Sequence, residues 1–139
     1  MKKIITFSLI LILFSCTPEN EPDNQIVSII GKWKLLKIDY YENNLLIETE
    51  IYEHITQCPN YVEFNSDNTF QSIYFYDNCE MEIEDEGAYN FSNSILFTTT
   101  NNINEQLNVT TLTNNEMQIT ETYNESGVLI KEISIFSKL

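Results

Sequence analysis

Hydrophobic positions follow two different patterns along this chain. Ile4 to Phe14 is an apolar run broken only by Thr6 and Ser8, behind the basic start Met1-Lys2-Lys3. From Gln25 onward, apolar residues recur in short stretches rich in β-branched and aromatic residues, with Asn, Asp, Ser and Gly between them. These stretches predict strands at Lys32–Tyr41, Leu45–Tyr52, Asn60–Phe64, Thr69–Tyr76, Met81–Phe91, Ser94–Thr100, Glu105–Leu112, Glu116–Tyr123 and Val128–Phe136. Met117, Ile119 and Tyr123 alternate with Gln118, Thr120 and Thr122, and Leu107 and Val109 alternate with Asn108 and Thr110. Such a period of two turns one face inward and the other to solvent. Turn chemistry is present at Glu42-Asn43-Asn44, at Asn65 to Asn68, at Asn114-Asn115 and at Asn124 to Gly127. Ahead of the first strand, Gln25 to Ile30 has Asp23 or Asn24 as an N-cap and Gly31 as a stop, which predicts one or two helical turns. No sustained helical periodicity and no internal repeat follow. The expected class is all-β, with eight or nine short antiparallel strands in a meander barrel or a sandwich.

The N-terminal pattern is that of an export signal: basic, then apolar, then small before Cys16. Its apolar run is too short to span a bilayer as a stable helix. Leu13-Phe14-Ser15-Cys16 resembles the lipobox of bacterial lipoproteins. In that family the cysteine becomes the first mature residue and carries acyl chains. The resemblance therefore implies a lipoprotein signal peptide over 1–15, acylation at Cys16 and attachment to a membrane. Each buried methylene of an acyl chain contributes ~0.8 kcal/mol to such anchoring. The alternative is an ordinary cleaved signal peptide in which Cys16 is incidental. Residues 16–24 hold two prolines, three acids and no large apolar residue, the composition of a tether. The folded domain is then expected over 25–139, at the cell envelope and on the outer membrane, with either the periplasmic or the surface face compatible.

Charge narrows the function. Removing 15 residues from 139 leaves 124, enough for one domain with a modest core. Five lysines then face 21 acids, a net charge near −16, and the chain has no arginine. A nucleic-acid partner is disfavoured, because binding one requires cations that displace phosphate counterions. With Cys16 acylated, Cys58 and Cys79 remain as an even pair, and an oxidising compartment favours a disulfide between them. Free thiols or a metal site are the alternatives.

Gly31-Lys32-Trp33 opens the first strand and resembles the Gly-x-Trp signature of lipocalins. Cys58, Tyr61-Val62-Glu63-Phe64, Asn68-Thr69-Phe70, Cys79 and Gly87-Ala88-Tyr89 follow in order. Together, after a lipobox, they resemble the lipocalin-like domains of bacterial envelope lipoproteins, over roughly 29–139. The resemblance implies a small barrel whose closed end is plugged by Trp33. Many lipocalins lay an arginine over that tryptophan; here Lys138 is the available cation.

Catalytic patterns are sparse. His54 is the single histidine, beside Glu53 in the loop after the second strand, where a solvated side chain is expected. His54, Cys58 and Cys79 form a conceivable zinc set, outweighed by the disulfide. Glu80, Glu82, Glu84, Asp85 and Glu86 offer oxygen ligands without the spacing of a calcium loop. No phosphate loop or dinucleotide motif is present, and no cofactor is expected. Phe70, Tyr74 and Tyr76 share one strand face, as core or as the wall of a cavity. The expectation is a non-enzymatic, lipid-anchored barrel that binds a small, mostly apolar ligand, neutral or cationic. Trp33, Phe70, Tyr89, Met117 and Ile119 are the candidate ligand-binding residues. The alternative is a filled barrel that docks to another envelope protein.

Overall fold

The computed structural model describes residues 27–139, so the expectations for the signal peptide, Cys16 and the tether fall outside the described residues. Nine strands follow one another: β1 Gly31–Glu42, β2 Leu45–Ile51, β3 Tyr61–Phe64, β4 Thr69–Phe75, β5 Met81–Ser92, β6 Ile95–Thr100, β7 Ile103–Leu112, β8 Glu116–Glu125 and β9 Val128–Lys138. Every expected strand is present. The helical turn expected over 25–30 is not present among the described residues: 27–30 are irregular. There the Ile30 N–H donates to Ser28 Oγ at 3.2 Å, and the buried Ile29 carbonyl accepts the Trp33 indole N–H at 2.6 Å. A side-chain acceptor next to the backbone competes with the helical ladder, and here it wins.

Four hairpins turn on two residues that both have positive φ: Asn43-Asn44, Asn93-Ser94, Asn101-Asn102 and Ser126-Gly127. Positive φ at both positions matches the twist of a tight hairpin, and Asn tolerates that conformation better than most residues with a Cβ. The Asn101-Asn102 turn lets β7 begin at Ile103, paired with Thr100, two residues before the expected start.

Closure depends on β1. One of its edges pairs with β9 along its length, from Trp33 opposite Lys138 to Glu42 opposite Ile130. The other edge is divided. Gly31 to Trp33 pair with β3, and Lys37 to Glu42 pair with β2. The strands β1 and β3 through β9 therefore close an eight-stranded antiparallel barrel, with β2 as a flap on its outside edge. Because β3 has only four residues, the wall between β1 and β4 is incomplete beyond it.

The core fills the closed end. Trp33, Leu96 and Met117 are fully buried among Ile29, Phe64, Phe70, Tyr89, Val109 and Ile119. Lys138 Nζ lies 4.9 Å from the centre of the Trp33 ring and donates to the Ser28 carbonyl at 3.4 Å. It takes the place expected of a cation over the signature tryptophan. Gly87 sits opposite Phe70, and a Cβ there would lie 2.1 Å from the Thr99 carbonyl oxygen. Toward the other end the inward positions turn polar. The face of β8 that carries Met117 and Ile119 continues to Glu121 and Tyr123, and Glu121 is paired with Glu132 of β9.

Candidate functional site

The gap above β3 opens into a cleft of about 460 Å³. Trp33, Leu35 and Phe136 reach it from the closed end, with Val62, Ser72, Ile73 and Tyr74 from β3 and β4. The segment after β2 supplies Tyr52, Glu53, His54 and Asn60 at the rim, Tyr61 opens β3, and Glu84 comes from β5. Glu84 occupies the extra position of a bulge, where the register passes from Ser72–Asp85 to Ile73–Ile83. Bulges re-aim side chains in this way. The volume falls within the range of small-molecule sites, which are mostly apolar with a few polar groups.

The rim is tied down at several points. The Tyr52 N–H donates to the Leu36 carbonyl at 3.0 Å, and Asn60 Oδ1 accepts the Phe75 N–H at 2.7 Å. His54 Nε2 lies 2.5 Å from the Leu35 carbonyl, so Nε2 carries the hydrogen and donates it. Nδ1 is then a bare acceptor, and it is buried without a partner. His54 is partly buried and holds the rim to β1, unlike the solvated loop residue expected from sequence. Cys58 and Cys79 form the expected disulfide, with their Cα atoms 5.7 Å apart, and join the rim segment to the β4–β5 turn. With both sulfurs in that bond, the zinc set with His54 does not form. The acidic residues from Glu80 to Glu86 lie largely along β5, where successive side chains take opposite faces.

Of the candidate ligand-binding residues, Trp33 lines the cleft. Phe70, Tyr89, Met117 and Ile119 belong to the packed core. Tyr89 stacks edge-on to Phe64 at 5.0 Å, and its hydroxyl donates to the Asn65 carbonyl at 2.8 Å. Lining residues that the alternation did not single out include Leu35, Tyr52, Tyr61, Glu84 and Phe136. Tyr74, one of the aromatics read as core or cavity wall, does line the cleft. Tyr76, on the same strand face in the sequence reading, is exposed and donates to Glu82.

The barrel mouth is acidic and tyrosine-rich. Tyr123 donates to Glu132 at 2.5 Å, which, with burial and the other nearby carboxylates, pushes the phenol up to about 12. Tyr40 donates to Glu50 at 3.2 Å. The Glu121 side chain reaches solvent, yet partial burial, followed by the neighbouring Glu132 and Glu105, raises its carboxyl above the usual carboxylate range.

The sequence profile of the lipocalin-like domain matches residues 29–119, across the signature turn, the cleft and most of the barrel. The chain belongs to the lipocalin-like domain family. A crystal structure of a lipocalin-like protein from Bacteroides uniformis superposes with a TM-score of 0.56 at 14% identity, over 79% of this chain and 97% of that one. That likeness shows a shared fold. A deswapped triple mutant of bovine odorant binding protein aligns over 78% of this chain and 72% of its own, at 12% identity and a TM-score of 0.38. Nothing among curated proteins matches the sequence.

Proposed function

We propose that this lipocalin-like domain is a non-catalytic binding protein that holds a small, mostly apolar ligand in the cleft between β1 and β4. The observation that carries this reading is the cleft itself. It holds about 460 Å³, is lined mostly by apolar and aromatic side chains, and its rim is fixed by a disulfide and by hydrogen bonds to β1 and β4. A pre-ordered rim lowers the entropic cost of binding. The test is binding of N-phenyl-1-naphthylamine, a neutral dye that brightens in apolar surroundings. The protein should bind it, and Ser72→Trp, which fills the cleft, should abolish binding. Equal binding by both forms would place the dye elsewhere and end this reading.

The lipobox resemblance and the tether composition support a lipid anchor at Cys16 and a place on the outer membrane. An alkyne fatty acid should label the natural chain in cells and spare Cys16→Ala. A second reading rests on β2. Among the described residues its outer edge has no strand partner, and Leu45 and Ile51 on it are 71% and 72% exposed. Such an edge suits an added strand from an envelope partner. Loss of a co-purifying protein on Ile47→Lys, with dye binding intact, would favour that reading.

A further inference from the structure

The charges around the cleft select among ligands that its shape alone would admit. Two carboxylates, Glu53 and Glu84, line it, and no lysine does. Among the described residues the ion pairs are Lys32–Glu63 and Lys37–Asp39, so neither lining carboxylate has a cationic partner. Three lysines cover other rings: Lys32 Nζ stands 4.5 Å from the Tyr61 ring centre, Lys131 lies 4.3 Å from that of Tyr41, and Lys138 covers Trp33. Among the described residues no lysine lies over the Tyr52 or Tyr74 ring, and Tyr74 is set edge-on to Tyr76 at 5.1 Å. Electron-rich ring faces next to unpaired carboxylates attract a cation, and more strongly as water is excluded. His54 also lines the cleft, and its ring is tied through Nε2–H to the Leu35 carbonyl, so it adds no cation there.

Resting on the cleft reading above, we propose that the natural occupant is an organic ammonium. Its alkyl part packs toward Leu35 and Phe136, and its charged head sits at the rim with Glu84, Glu53 and the Tyr52 and Tyr74 rings. A ligand with an anionic head meets two carboxylates without compensation and is rejected.

The test compares n-hexylammonium, 1-hexanol and hexanoate, three probes of one length and different charge. Calorimetric titration uses the complete protein in neutral-lipid nanodiscs, with empty nanodiscs as the blank. The ammonium should bind at least about tenfold more tightly than the alcohol, the scale of one charge-assisted hydrogen bond. Hexanoate should not bind. Glu53 and Glu84 are both exposed, so Glu53→Gln with Glu84→Gln keeps the fold while removing about that tenfold advantage of the ammonium over the alcohol. Equal affinities for ammonium and alcohol, tighter binding of hexanoate, or an ammonium affinity indifferent to the double substitution would overturn the cation assignment and leave the cleft reading in place. If no probe binds, or if Ser72→Trp leaves all binding unchanged, the cleft reading falls with it.

Discussion

Trp33 gives the most demanding test of how the closed end is held. It is fully buried, its indole N–H is bonded to the Ile29 carbonyl at 2.6 Å, and Lys138 lies over its ring. Replacing a buried tryptophan by alanine costs about 3–5 kcal/mol in lost burial and in the cavity left behind. The Ile29 carbonyl would also lose its donor in a buried setting, at about 1–3 kcal/mol. Trp33→Ala should thus cost on the order of 5 kcal/mol, a large part of the 5–15 kcal/mol typical of a domain. Trp33→Phe keeps an aromatic ring and loses the donor, so about 2 kcal/mol is expected, mostly from the orphaned carbonyl. Trp33 is the only tryptophan, so its fluorescence disappears with it, and urea unfolding has to be followed by far-ultraviolet circular dichroism. A cost below about 1 kcal/mol for Trp33→Ala would show that the plug is not central to the barrel. Equal costs for the two variants would assign the effect to the hydrogen bond and not to packing. Pairing Trp33→Phe with Lys138→Met in a double-mutant cycle should leave little coupling if both rings attract the cation, whereas Trp33→Ala with Lys138→Met should show about 0.5–1 kcal/mol or more.

Gly87→Ala drives a Cβ to 2.1 Å from the Thr99 carbonyl oxygen and should lower stability by about 3 kcal/mol; a change within 0.5 kcal/mol of zero, on the order of an ordinary surface substitution, would show that β5 and β6 can part freely. Glu121 has its folded pKa raised, so the fold favours its neutral form: stability falls as pH rises from the unfolded value of 4.5 through the folded one. Glu121→Gln should therefore raise the melting temperature at pH 7 and leave it nearly unchanged below pH ~4, and a gain of the same size at both pH values would refute the titration argument. Replacing Cys58 and Cys79 by serine should cost roughly 3 kcal/mol by the chain-entropy estimate and weaken dye binding together, since the bond holds the cleft rim; intact stability on urea unfolding would contradict this.

The strands were legible because alternation and turn chemistry agree along nearly the whole chain. The Asn101-Asn102 turn was less legible because it follows three threonines that suit a strand. The helical turn before Gly31 failed because capping signals do not register other local partners, in this case Ser28 Oγ for the Ile30 N–H and the Trp33 indole for the Ile29 carbonyl. The site was less legible than the fold. Alternation identifies Phe70, Tyr89, Met117 and Ile119 as inward, but not whether an inward side chain meets another residue or open space. That depends on the shortness of β3 and on the divided edge of β1, both set by long-range pairing. Tyr52, Glu53 and His54 lie beyond the end of β2, where no period applies, and Glu84 sits where a bulge breaks the count.

The divided pairing of β1 also bears on how the barrel assembles. The strand pairs β1–β2 and β3–β4 through β8–β9 all join neighbours in sequence, across connections of a few residues. Only β1–β3 and β1–β9 join distant strands, and β1–β9 brings the first strand to the last. Hairpins can form on the microsecond scale, whereas closing a loop that contains nearly the whole domain pays its entropy before any contact rewards it. Folding should then proceed as an open sheet that zips shut along β1 and β9 in a late, rate-limiting step. Until that step, both long edges are unpaired and free to join another chain. Substitutions confined to the β1–β9 seam should accelerate unfolding and leave the folding rate nearly unchanged.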